Sequence, residues 1–162
     1  MNDQVRVKIA DYAVLKEQGV IITVGLGSCV GIVLYDKRNK VGGLAHILLA
    51  DSSNFNYKGN SFNPFKFADT AVPMLIEEME KFGGTKSRME AKIAGGSQLF
   101  NFNKTEGGIG DKNVKKVYEV LNEKGIPISG KDVGGNYGRT MQLYVDSGKV
   151  LVSTVGKEEK QI

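Results

Sequence analysis

The chain has one cysteine, one histidine, three prolines and no tryptophan among its 162 residues. A single cysteine excludes an internal disulfide. One cysteine and one histidine fall short of the four ligands a structural zinc site takes. No apolar run approaches the ~18 residues needed to cross a membrane. The opening residues, M-N-D-Q-V-R, have no signal-peptide apolar segment. Together these lacks lead to the expectation of a cytoplasmic protein with no membrane insertion. Charge is also unremarkable: 22 Lys and Arg against 18 Asp and Glu give +4. The basic residues are scattered, with no arginine-rich stripe, which argues against nucleic acid as a partner. Gly25, Gly27 and Gly31 form G-x-G-x-x-x-G, which misses the dinucleotide spacing, and no Walker lysine follows. No cofactor and no metal are expected.

Glycine is what the chain has in excess. Its 21 residues are about 13% of the total, against a usual share of about 7%. Several come as pairs, such as Gly42-Gly43, Gly95-Gly96 and Gly134-Gly135, which marks tight turns and close backbone approaches. The length suits one domain over 1–162, with a charged tail at 157–162 expected to fray.

Alternating and β-branched runs predict strands at 5–10, 20–24, 29–35, 41–49, 91–94, 126–128, 141–145 and 150–155. The last two read as a hairpin. Ala68, Ala71, Val72, Leu75, Met79 and Phe82 recur at helical spacing, with a cap at Thr70 or Asp69 and a stop at Gly83-Gly84. A cap at Thr70 makes Pro73 the third helical position, where its missing N–H is harmless. A second helix is predicted over about 111–124, capped by Asp111. Two helices and about eight strands imply an α/β fold, a strand-rich layered domain with each helix burying one face on a sheet.

Chemistry concentrates at T-V-G-L-G-S-C-V-G, residues 23–31. A glycine loop holding Gly25, Gly27 and Ser28 leaves backbone N–H groups free to bind an oxyanion. The sole thiol, Cys29, follows at once, and such donors would lower its pKa. The sole imidazole, His46, lies on the next apolar run. Facing residues of an antiparallel hairpin have a constant sum of numbers. Cys29 and His46 sum to 75, which centres the turn between Lys37 and Arg38, within the turn-forming D-K-R-N-K. That register puts the two side chains on one face, with Cβ atoms roughly 5 Å apart. A slip of one residue would separate them. The arrangement suits a hydrolase with Cys29 as nucleophile and His46 as base. Thr23, Ser28 and Asp51 are candidates to orient the imidazole.

These residues carry a resemblance. The chain resembles the CheD family of chemoreceptor glutamine deamidases over nearly its whole length. The shared blocks are T-V-G-L-G-S-C-V-G-I-V-L-Y-D, G-G-L-A-H-I-L-L-A-D-S, K-F-A-D-T-A-V, A-K-I-A-G-G-S-Q-L-F, I-G-D-K-N-V and D-V-G-G-N-Y-G-R-T. Ala50 stands where that family commonly has proline, a departure that bears on loop rigidity more than on chemistry. The resemblance implies a layered α/β sandwich of two mixed sheets with flanking helices, similar to cysteine-dependent deamidating toxins. It implies Cys29, His46 and Thr23 as the catalytic triad. It implies conversion of selected glutamines on methyl-accepting chemotaxis receptors to glutamate, with release of ammonia. It also implies a second partner, the phosphatase CheC. Residues 54–63, 100–102 and 132–140 are candidate contact surfaces.

Overall fold

A computed structural model describes residues 3–53, 62–98 and 108–162. Ten strands form two five-stranded sheets. The strands are β1 Gln4–Val7, β2 Asp11–Lys16, β3 Val20–Leu26, β4 Val30–Asp36, β5 Val41–Ile47, β6 Met89–Gly95, β7 Ile128–Val133, β8 Arg139–Tyr144, β9 Lys149–Ser153 and β10 Lys160–Gln161. The first sheet runs β1-β3-β8-β9-β10 and the second β2-β5-β4-β6-β7. Each is mixed, with one parallel pair: β1 with β3, and β6 with β7. Helices α1 (Ala68–Lys81) and α2 (Ile109–Glu123) cover the outer face of the second sheet. The layered α/β sandwich expected from the sequence is therefore present, as helices, second sheet and first sheet in that order.

The alternation of side chains across a strand builds both cores. Val30, Ile32 and Leu34 of β4 pack with Leu75, Met79, Val117 and Leu121 of the helices. Val33 and Tyr35, with Cys29 just ahead of the strand, face the first sheet, beside Leu44, Ile21, Met141 and Leu143. All of β4 and β5 is buried. A strand covered on both faces reads as a continuous apolar run, which explains why these two strands were legible.

Several boundaries differ from the sequence reading. The strand expected over 5–10 breaks at Ala10, whose φ of +60 turns the chain from the first sheet into the second. β2 then begins at Asp11. It places Tyr12 and Val14 on the helix side and Ala13 and Leu15 on the other, so it shows no alternation to read. β7 begins at Ile128 and extends the expected 126–128 run by five residues. The tail is not frayed: Lys160 and Gln161 pair with Val152 and Leu151 of β9, and Lys160 bonds Asp132 at 2.9 Å. Phe82, expected on the buried face of α1, is its exposed C-cap.

Both helices start earlier than expected. α2 is capped by Gly108, and Asp111 lies in its first turn. α1 is capped by Phe67, so Pro73 is the sixth helical residue and removes the bond that Asp69 C=O would accept. An interior proline costs roughly 3 kcal/mol against alanine, offset in part by the smaller entropy of the unfolded chain. Pro73→Ala should therefore raise the unfolding free energy by about 1–2 kcal/mol. Urea denaturation measures it, and a loss of stability would contradict the placement of Pro73 inside the helix.

Candidate active site

The β4–β5 hairpin pairs Gly31 with His46 and Val30 with Ile47, a constant sum of 77. The expected sum of 75 is thus corrected by two. The turn centre lies between Arg38 and Asn39 because Asp36 belongs to the strand. Its carboxylate accepts from Asn39 N at 3.1 Å and Asn39 Nδ2 at 2.7 Å, closing a four-residue loop that ends with Lys40 at φ +51. A shift of two preserves parity. Cys29 and His46 therefore still face the same layer, between the sheets, although Gly31 and not Cys29 is the residue opposite His46.

Thr23 of β3 faces that layer from the other sheet. Its Oγ1 lies 2.7 Å from His46 Nδ1 and 2.8 Å from Val7 O. A threonine hydroxyl has one proton, and the Val7 carbonyl can only accept. The proton therefore goes to Val7, and Thr23 Oγ1 accepts from Nδ1–H. This fixes the tautomer: Nε2 carries the lone pair. Nε2 is buried and has no hydrogen-bond partner among the described residues. Of the three candidates for orienting the imidazole, Thr23 alone bonds it. Asp51 instead accepts from Ser53 N and pairs with Lys116.

Thr23 and His46 are fully buried, and Cys29 retains 6% exposure. Burial pushes the Cys29 thiol above its ordinary value, only partly countered by its own N–H against the sulfur. The sequence reading of a lowered thiol pKa is therefore corrected: removal from water outweighs the loop donors. Burial likewise pulls His46 down to about 4. At neutral pH the site holds a thiol and a neutral imidazole.

The loop between β3 and β4 is held by its carbonyl groups. Gly27 O accepts from Ser97 N at 2.8 Å, Cys29 O from Gly96 N at 2.8 Å, and Ser28 O from Asn113 Nδ2 at 2.9 Å. Gly27 N–H turns back to Gly25 O, and Gly25 has φ +74. The N–H groups of Ser28 and Cys29 donate to no backbone carbonyl among the described residues, and the Cys29 N–H rests against its own sulfur. Gly95 and Gly96 have φ of +113 and +68, and a Cβ on Gly95 would run into the Cys29 carbonyl. Buried Arg139 supports this turn: it donates to Ser97 Oγ at 2.8 Å and Gly95 O at 3.3 Å, and pairs with Asp132 at 3.1 Å.

Of the expected site residues, Thr23 and His46 are bonded to each other, Cys29 lies two residues ahead of Gly31, which pairs with His46, and Gly25, Gly27 and Ser28 lie between Thr23 and Cys29. Sequence reasoning missed Ser97, Asn113 and Arg139. The pair Gly95-Gly96 signalled a close approach but not what it approached. A cavity of about 490 Å³ opens beside Gly25, lined also by Tyr137, Arg139, Thr140 and Val155. Of the three expected contact surfaces, 132–140 borders this cavity, 100–102 lies outside the described residues, and so does 54–63 apart from Phe62 and Asn63. No helix among the described residues is long and apolar enough to cross a membrane.

Two consequences of burial are measurable. Alkylation of Cys29 by iodoacetamide should accelerate about tenfold per pH unit through pH 8 and continue rising past pH 9. A plateau between pH 5 and 8 would reveal a thiolate–imidazolium pair instead. For His46, the folded value of about 4 lies below the ordinary 6.5, so the unfolded chain binds the extra proton between them. Its contribution to stability is complete above pH 6.5 and is lost as pH falls to 4, on the order of 3 kcal/mol. Urea unfolding across that window should show the slope in wild type and a weaker one in His46→Gln.

Comparison with known proteins gives consistent matches. The family profile described as CheD chemotactic sensory transduction matches residues 48–154. A protein of Clostridium novyi (strain NT) is 52% identical over 157 residues, covering 96% of this chain and 95% of its own length. One from Desulforamulus reducens is 48% identical over 163 residues, covering 99% and 96%. One from Clostridium botulinum (strain Hall) is 48% identical over 161 residues, covering 98% of each. All three are named probable chemoreceptor glutamine deamidase CheD. The profile match begins two residues past His46, so Thr23, Cys29 and His46 fall under the whole-length relatives only.

Proposed function

The chain belongs to the CheD family, and from that premise we propose that it is a chemoreceptor glutamine deamidase in which Cys29 is the nucleophile, His46 the base and Thr23 the residue that orients His46. The observation that carries this reading is the Val7–Thr23–His46 chain of hydrogen bonds. It commits Nδ1 as a donor and leaves an unpartnered Nε2 lone pair on the face that Cys29 shares.

The reaction follows from these groups. A glutamine carboxamide must approach Cys29, which retains 6% exposure. His46 Nε2 takes the thiol proton as sulfur bonds to the carboxamide carbon. Because the thiol pKa lies above that of the imidazole, the proton moves with the attack and not before it. The oxygen gains negative charge and is met by the N–H groups of Ser28 and Cys29. Collapse breaks the C–N bond, and the imidazolium proton leaves on ammonia. Water then gives a proton to His46 and attacks the thioester. The C–S bond breaks, sulfur recovers its proton, and the product is glutamate. Each turnover replaces a neutral side chain with a carboxylate on the receptor.

The test is mass spectrometry of peptides from a receptor cytoplasmic fragment incubated with the protein. Wild type should convert glutamine to glutamate with equimolar ammonia, and Cys29→Ala should reduce conversion to background. Conversion that persists in Cys29→Ala would remove the mechanism. Engagement of CheC, the further partner implied by the resemblance, is part of the same proposal, and Cys29→Ala should retain it while losing ammonia release.

A further inference from the structure

We propose that Asn113 is a positioning residue that aims the Cys29 N–H at the developing oxyanion. This rests on the deamidase reading above. Asn113 occupies the core-facing stripe of α2 with Gly110, Val117, Val120 and Leu121. A helix packed on a sheet ordinarily puts an apolar residue there. Asn113 instead spends both Nδ2 protons on backbone carbonyl groups, Ser28 O at 2.9 Å and Leu48 O at 3.0 Å. Its Oδ1 is buried and has no partner among the described residues. Flipping the amide would set Oδ1 against two carbonyl oxygens, so the orientation is fixed by its surroundings. An asparagine kept only for stability would use its acceptor, because a buried unpaired oxygen is costly.

The consequence lies one bond away. No peptide bond in the described chain is cis. Across a trans peptide the C=O of one residue and the N–H of the next point in opposite directions. Asn113 draws the Ser28 carbonyl toward the helix layer. The Cys29 N–H is thereby turned toward the layer between the sheets, where the side chains of Cys29 and His46 lie. The second bond ties the same amide to the segment that follows His46. A sum of 77 would put Leu48 opposite Cys29, but the ladder ends at Val30 and Ile47. Leu48 N–H goes to Lys66 O, and its carbonyl goes to Asn113. Asn113 therefore bridges the two segments that leave the β4–β5 ladder, one just before Cys29 and one just after Ile47.

Steady-state deamidation of the receptor fragment by wild type and Asn113→Ala, with iodoacetamide alkylation of Cys29 as a second readout, tests the inference. Removing an oxyanion donor costs about 10²–10³ in kcat, and misaiming one should cost on the order of tenfold to a hundredfold. KM and the alkylation rate should stay within about twofold, because alkylation builds no oxyanion. Asn113→Asp keeps the shape but sets an acceptor against two carbonyl groups. Its kcat should be low at pH 8 and recover toward pH 5, as the carboxyl regains a proton to donate. If Asn113→Ala does not fold, this pH profile decides, and a profile parallel to wild type overturns the inference. An unchanged kcat in Asn113→Ala overturns it, as does alkylation that slows in step with kcat. A wild type that releases no ammonia overturns the deamidase reading and this inference with it. An active wild type with an unaffected Asn113→Ala overturns this inference alone.

Discussion

The hydrogen bond between Thr23 and His46 joins the two sheets through a buried polar pair set within apolar packing. Val7 and Thr23 belong to the first sheet and His46 to the second. Leu26, Met141 and Leu143 from one sheet and Val33 and Leu44 from the other surround this layer. In that setting an unpaired hydroxyl or imidazole N–H would be costly. The chain Nδ1–H to Thr23 to Val7 satisfies every proton it contains, and only the lone pair of Nε2 is left over. The distance between the sheets thus determines the tautomer, and the tautomer determines which nitrogen can act as base.

The loop that leads to Cys29 is governed by the complementary rule. Backbone groups come in donor–acceptor pairs, and a loop can be anchored through either kind. Between β3 and β4, three consecutive carbonyl groups, Gly27, Ser28 and Cys29, are anchored by donors from two sites in the chain, the Gly96-Ser97 turn and Asn113. The Ser28 N–H is left over among the described residues, and the Cys29 N–H is engaged only by its own sulfur. Anchoring through carbonyl groups makes the loop rigid without using the donors that a developing negative charge requires, which is the condition for preorganised electrostatic stabilisation. The close fit of Gly95 against the Cys29 carbonyl, and the Arg139 bonds to Ser97 and Gly95, extend that rigidity to β8.

Local pattern made the layered fold and the central hairpin legible, and it failed where the deciding contact was remote. β4 and β5 announced themselves as continuous apolar runs. Their turn was visible too, but the register was set by how far Asp36 extends into the strand, and D-K-R-N-K does not reveal that. The face assignment survived because a side-chain period of two forgives an error of two. Ala10 hid a sheet switch, since a positive φ at alanine has no signal in composition. β10 was lost for a related reason: a charged tail looks solvated until β9 offers it an edge and Asp132 a counter-ion. Within the site, residues with distinctive chemistry were found. Asn113 and Arg139 act through contacts 85 and 42 positions away in sequence, and although both lie in blocks that carry the family resemblance, nothing local shows what they contact.

Burial shapes the reactivity of such a site as much as its geometry does. A thiol pushed up and an imidazole pulled down by the same apolar layer form a pair that is neutral at rest. Neutrality suits the position, because an ion pair held between two aliphatic sheets would bear a desolvation cost its own attraction need not repay. The consequence for chemistry is selectivity. A free thiolate reacts with any electrophile that diffuses to it, whereas a thiol whose proton leaves only during attack reacts where an oxyanion can be stabilised at the same moment. In the mechanism proposed above, the N–H groups of Ser28 and Cys29 would therefore gate the nucleophile as well as assist it: a carbonyl that does not reach them would leave Cys29 protonated.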